Sequence, residues 1–129
     1  MQQWTELLSE QRNGLDVIVD KTWEDIPLDH LFDTSVDPDT DLPYYDLAEM
    51  AQQIDRGELD YFMLRARVLY QGLELGSTIV GGFLYEDAEE VLTDGTAEDL
   101  IWQAEREAQQ AIPGLIQGLS AVQLDSLAA

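Results

Sequence analysis

The chain has no cysteine and a single histidine, His30. Disulfide frameworks and thiolate metal sites are therefore excluded, as are metal sites and proton relays that need two imidazoles. Bases are almost as scarce. One Lys and five Arg stand against 27 Asp and Glu, for a net charge of -21 and a pI near 4.1. Six scattered bases cannot build a nucleic-acid groove, and such a surface repels nucleic acid and anionic lipid while attracting cations and basic proteins. No apolar run approaches the ~20 residues that cross a bilayer, and the N-terminal "MQQWTELLSEQRNG" lacks a basic, apolar signal pattern. The expectation is a soluble cytoplasmic protein with no membrane partner.

What is present suits a folded chain. Its 129 residues are 45% hydrophobic and include Trp, Tyr and Phe, enough for a single domain over 1–129 with one core. Residues 2–11, with Trp4, Leu7 and Leu8 on one side and Asn13-Gly14 as a stop, read as a short helix. "LDVIVD" alternates Leu15, Val17 and Val19 against Asp16 and Asp20, the pattern of a strand with one buried face. A helical turn or two is expected after Pro27, then a loop at "VDPDTD". Asp41 is placed to cap a helix whose inward stripe is Leu47, Met50, Ala51 and Ile54, ended by Gly57.

The centre of the fold is "ELDYFMLRARVLYQGLELGSTIVGGFLYED". Residues 59–70 put Phe62, Leu64, Ala66, Val68 and Tyr70 on one face and Tyr61, Met63, Arg65, Arg67 and Leu69 on the other. A turn near Gln71-Gly72 and an apolar run over 73–85 complete an antiparallel hairpin, with Phe62, Leu64, Val68 and Ile79 expected inside. Gly81-Gly82 suggests a bulge or a closely packed helix. Thr96 with Asp99 resembles a capping box, opening a helix with Ala97, Ile101, Ala104, Ala108 and Ala111 that stops at Pro113-Gly114. Residues 115–129 are nearly uncharged and leave three readings open: a last helix, an oligomer contact such as a homodimer, or a frayed end. The fold class is α+β: a small antiparallel sheet centred on a long β-hairpin, with helices packed on it. The acidic N-terminal third covers about 16–56, and the hairpin and helix core about 58–112.

No enzyme signature stands out, and no catalytic residue, metal or cofactor is assigned. Asp37, Asp39 and Asp41 alternate as in the first ligands of a calcium loop, but Leu42 stands where the sharp turn needs Gly, and Ala48 where a bidentate acid is needed. "GLELGSTIVGG" lacks the Lys-Ser/Thr of a phosphate loop. Among 27 acids some pair always falls at a catalytic spacing, so such pairs carry no signal.

One feature asks for a function. Between Lys21 and Arg56 there is no basic side chain, while ten carboxylates fall inside the run. Asp25, Asp29, Asp33, Asp37 and Asp41 recur every fourth residue, interleaved with Ile26, Leu28, Leu31, Phe32 and Val36, which pin the segment to a core. Where it is helical, carboxylates four apart lie about 6 Å apart along the axis. Duplex DNA sets about two phosphates per strand in that distance, so the row can follow a phosphate backbone. Glu24, Asp39, Asp46 and Glu49 fill in the pattern, with Trp23, Tyr44, Tyr45 and Trp102 as aromatic contacts. The expected partner-binding residues are Asp25, Asp29, Asp33, Asp37, Asp39, Asp41, Tyr44, Tyr45, Asp46, Glu49 and Trp102, and the expected partner is a basic nucleic-acid-binding protein or complex. Such crowding of like charge is also expected to raise the pKa of some of these carboxylates. The alternatives are a generic acidic adaptor, a salt-adapted protein of unrelated function, and a metal-assisted hydrolase using the 37–41 carboxylates.

The 59–85 hairpin together with "AEDLIWQAEREAQQAI" resembles a family of small acidic proteins encoded on bacteriophages and mobile elements, over roughly residues 58–112. That resemblance implies a phage-type origin, and hence the host cytoplasm, but no settled biochemical role. In charge and size, though not in motif, the chain is similar to phage-encoded DNA mimics that block restriction enzymes, CRISPR complexes or other DNA-binding defence proteins.

Overall fold

A computed structural model describes residues 3–122. Four strands, β1 (Thr5–Arg12), β2 (Leu15–Trp23), β3 (Asp60–Tyr70) and β4 (Leu73–Tyr85), form one antiparallel meander in the order β1-β2-β3-β4. Two short helices, α1 (Leu28–Leu31) and α2 (Leu47–Asp55), lie in the long β2–β3 connection. A 3₁₀ turn, Ala88–Leu92, leads to the long helix α3 (Thr96–Ser120), which packs across β4, β3 and the edge of β2. The fold is α+β, as the patterning implies.

The hairpin at the centre forms as its alternation dictates. Phe62, Leu64, Ala66 and Val68 turn inward beside Val17 and Val19 of β2 and meet Ala97, Leu100, Ile101, Ala104 and Ala108 of α3. Gln71 and Gly72 take φ values of 48° and 82°, the left-handed pair of a two-residue hairpin turn. Gly81-Gly82 is a bulge, since Phe62 pairs with Phe83 but Leu64 with Val80. The close helix approach falls elsewhere, at Gly76. A Cβ there would collide with the carbonyl oxygen of Ala104 and lie 2.8 Å from the backbone nitrogen of Ala108. Gly76→Ala is expected to destabilise at the top of the ~1–3 kcal/mol range for overpacking, because backbone must move. An unchanged urea midpoint would contradict this close approach.

Four expectations are corrected. The segment expected to be an N-terminal helix is the edge strand β1 from Thr5 onward. Asn13 and Gly14, at φ 54° and 81°, are not a helix stop but the turn into β2. A register shift between Glu6 and Leu8 lets Leu7 and Leu8 both pack on the core, which gave the strand a helical spacing of apolar residues. Ile79 pairs with Arg65 on the sheet face away from α3 and is exposed. α3 is capped by Gly95 in the left-handed region rather than by a Thr96 capping box, since the Thr96 hydroxyl lies 3.1 Å from that of Tyr85. It also runs on through Pro113 to Ser120. Ile112 and Leu115 lie alongside Leu15, Tyr70 and Leu75 there, and this apolar contact offsets the missing Pro N–H. The tail is thus helical to Ser120, while its residues 123–129 lie outside the described part.

Candidate protein-binding surface

The acidic segment leaves the sheet at Trp23 and returns at Asp60, so it gathers at one end of the meander. Its root is Glu24, which is buried. One carboxylate oxygen accepts the Gly82 N–H of the β4 bulge at 2.9 Å, and the other accepts the Ile26 N–H at 3.2 Å. The Tyr61 hydroxyl donates to the Ile26 carbonyl at 2.8 Å; burial, then the nearby Glu24 charge, push this phenol upward. Glu24 is therefore committed to tying the segment down and cannot serve in the expected charge row.

The segment is not a continuous helix. α1 covers Leu28–Leu31 and contains Asp29, while Asp25 precedes it and Asp33, Asp37, Asp39 and Asp41 follow in a looped hairpin. A bridge between Val36 and Pro43 closes this loop, with Tyr44 N–H donating to Ser35 O and Asp37 N–H to Leu42 O. Two carboxylates are fixed by local backbone. Asp33 accepts the Ser35 N–H at 2.8 Å and Asp37 the Asp39 N–H at 2.9 Å. Asp41 takes φ 60° at the loop tip, and the cap of α2 is Asp46, whose carboxylate accepts the Glu49 N–H at 3.1 Å. Helix α2 then presents Leu47, Met50 and Ile54 inward, but Ala51 of the expected stripe is exposed. The regular 6 Å row is replaced by carboxylates at fixed turn positions.

The structure brings Asp33, Ser35, Tyr44 and Tyr45 together around one shallow recess. Tyr45 packs on Phe32 with ring centroids 5.2 Å apart, which fixes one wall of the recess. Trp102 is not part of this grouping. It projects from the outer side of α3, under the Arg106 guanidinium at 4.8 Å.

Sequence reasoning missed where the bases go. Arg65 makes a two-pronged ion pair with the buried Asp20, at 2.8 and 2.6 Å, and stacks over Trp4 at 3.9 Å. Arg67 reaches the same carboxylate at 3.3 Å. Their alternation in β3 opposite Asp20 was the available signal. Arg12 pairs with Glu98, Lys21 with Asp60, and Arg56 with Glu49 and Glu58. Glu49 is thus partly neutralised by a cation just beyond the acidic run. Among the described residues, no Lys or Arg forms an ion pair with any carboxylate from Asp25 to Asp46, and the single contact of that kind is His30 with Asp29 at 3.9 Å.

The carboxylate pKa shifts that stand out run downward, opposite to the expectation from crowding. The Ser35 backbone N–H holds Asp33 below its ordinary 3.8, and the Arg12 guanidinium holds Glu98 below its ordinary 4.5. Directional hydrogen bonds outweigh diffuse repulsion screened by water. A depressed folded-state pKa gives stability that is present above the unfolded value and lost as pH falls through the folded one. The melting temperature should therefore decline below about pH 4, and Arg12→Gln should remove part of that decline. Wild type and variant with the same pH dependence would contradict the role of the Arg12–Glu98 pair.

Comparison with protein-family models, curated proteins and solved structures finds no match to this chain. No described helix is long and apolar enough to cross a membrane.

Proposed function

We propose that the protein is an acidic inhibitor of the DNA-mimic type. In this reading the Asp25–Asp46 segment occupies the basic nucleic-acid-binding groove of a host defence or other DNA-binding protein, with no catalytic step of its own. The observation that carries this reading is the separation of charge. Nearly every cation of the chain is committed elsewhere, while among the described residues the carboxylates from Asp25 to Asp46 have no Lys or Arg partner and several are held by backbone hydrogen bonds. Uncompensated like charge destabilises a compact chain, and a cationic partner accounts for the seven carboxylates that the Asp25–Asp46 segment carries on its closed loop and flanks. Carboxylates already fixed in place lose little freedom on binding, and the resulting field speeds encounter. Tyr44 and Tyr45, exposed beside Asp33, supply faces on which a guanidinium can rest.

A second reading is an adaptor whose exposed Trp23, Leu42 and Tyr44 bind an apolar partner while the acids only solubilise it. The two differ in salt dependence. For a target captured from the natural host, affinity should fall steeply between low and physiological ionic strength if carboxylates replace phosphates. Affinity that is flat or rises with salt sinks the mimic and favours the adaptor.

A further inference from the structure

The face of α3 that the sheet covers is built from Ala97, Ile101, Ala104 and Ala108, small enough for close packing. The same helical stripe continues as Ile112, Leu115 and Leu119, where the side chains become large but the sheet runs out. Among the described residues only the tips of two hairpins meet them, Leu15 from one and Tyr70, Leu73 and Leu75 from the other. An open groove of about 290 Å³ is left, with a wholly apolar lining. Leu73 is 52% exposed, Ile116 60% and Leu119 69%. Tyr70 and Leu115 add to this uncovered surface, which falls in the ~300–600 Å² range of the largest apolar patch on a monomer, a size that often marks an interaction site.

We infer that this groove is the face on which a second copy of the chain docks, in a two-fold dimer where the α3 end of each protomer fills the groove of the other. The charge distribution selects this occupant. No charged residue occurs from Ala108 to Leu124, on a chain whose net charge is -21. A basic partner finds no carboxylate in the groove lining to pair with. Two copies, by contrast, repel wherever acidic surfaces face each other. The groove lies at the Tyr70–Leu73 end of the sheet, and the acidic segment at the Trp23–Asp60 end. The eleven residues of β3 separate the two by about 35 Å, several Debye lengths at physiological salt. Joining copies through this uncharged lining keeps the acidic Asp25–Asp46 segments farthest apart and leaves both free to bind.

Sedimentation equilibrium of the whole chain tests this. Over about 5–500 µM the mass should rise from 14.5 kDa to twice that value, with a midpoint inside this range. Added salt should tighten the association, because screening relieves repulsion while burial of apolar surface persists. Leu119→Asp on the helix and Leu73→Asp on the hairpin tip should each move the midpoint upward at least tenfold, with an unchanged circular dichroism spectrum. A wild-type chain that stays monomeric at the highest concentration in both low and high salt overturns the inference without reference to any variant. So do assembly beyond a dimer, an association that salt loosens, or folded Asp variants that dimerise like wild type. Because salt should tighten the dimer and loosen the binding of a basic target, failure of one reading is distinguishable from failure of the other.

Discussion

Replacing Phe62 by Ala is expected to lower the stability of the chain by roughly 3–5 kcal/mol, a large share of the ~5–15 kcal/mol that a domain of this kind has in total. The ring is 1% exposed and sits where the hairpin, the bulge and α3 converge. It stacks on Phe83 with centroids 5.7 Å apart and tilts against Tyr85 at 5.8 Å, while the Lys21 ammonium lies 5.8 Å from its centroid. Its removal forfeits the burial of an aromatic ring and leaves a void in the core beside Phe83 and Tyr85. Loss of the ring also leaves Phe83 and Tyr85, each only partly buried, without their partner. Urea denaturation measures the effect. A loss below about 1 kcal/mol would mean that the site collapses freely and that Phe62 is not the keystone of this core.

The second large effect concerns binding. Replacing Asp33, Asp37 and Asp41 together by Asn removes three charges from the closed loop but preserves its geometry. An Asn side-chain oxygen can accept the Ser35 and Asp39 N–H groups as the carboxylates do, and Asn tolerates the φ of 60° at position 41. The helix cap is untouched, because Asp46 supplies it. The free protein should therefore fold as before. Its affinity for a captured basic target should fall by ~2–5 kcal/mol where the contacts are desolvated charge pairs, and far less where they form a wet rim. A folded triple variant that binds like wild type would remove the loop from the interface.

The β3–β4 hairpin was legible because both strands alternate cleanly and a Gly-containing dipeptide separates them. β1 was not, since its bulge brings Leu7 and Leu8 to the same side and imitates a helical stripe. Ile79 shows a related limit. Alternation sorts residues between two faces, but which face a helix will cover is a tertiary outcome. Pro113 marked a helix end by local rules, yet the apolar stripe beyond it finds hairpin tips to lie against. In the candidate site, the absence of cations could be read directly and, among the described residues, persists in three dimensions from Asp25 to Asp46, whereas Arg56 reaches back to Glu49. The use of Glu24 as a buried anchor could not be read, because it depends on the Gly82 N–H nearly sixty residues away. Nor could the separation of Trp102 from the acids, since α3 packs on the sheet rather than on the acidic segment.

The central claim is that the Asp25–Asp46 segment stands in the place of a nucleic-acid backbone. The direct measurement is competition: the wild-type chain is immobilised, loaded with its target from a lysate of the natural host, and challenged with short duplex DNA at constant ionic strength. Occupation of a shared groove predicts that DNA releases the target in a saturable way, and that soluble wild-type chain displaces DNA from the same target in the reverse experiment. A target that holds DNA and this protein at once, with neither weakening the other, would contradict the claim.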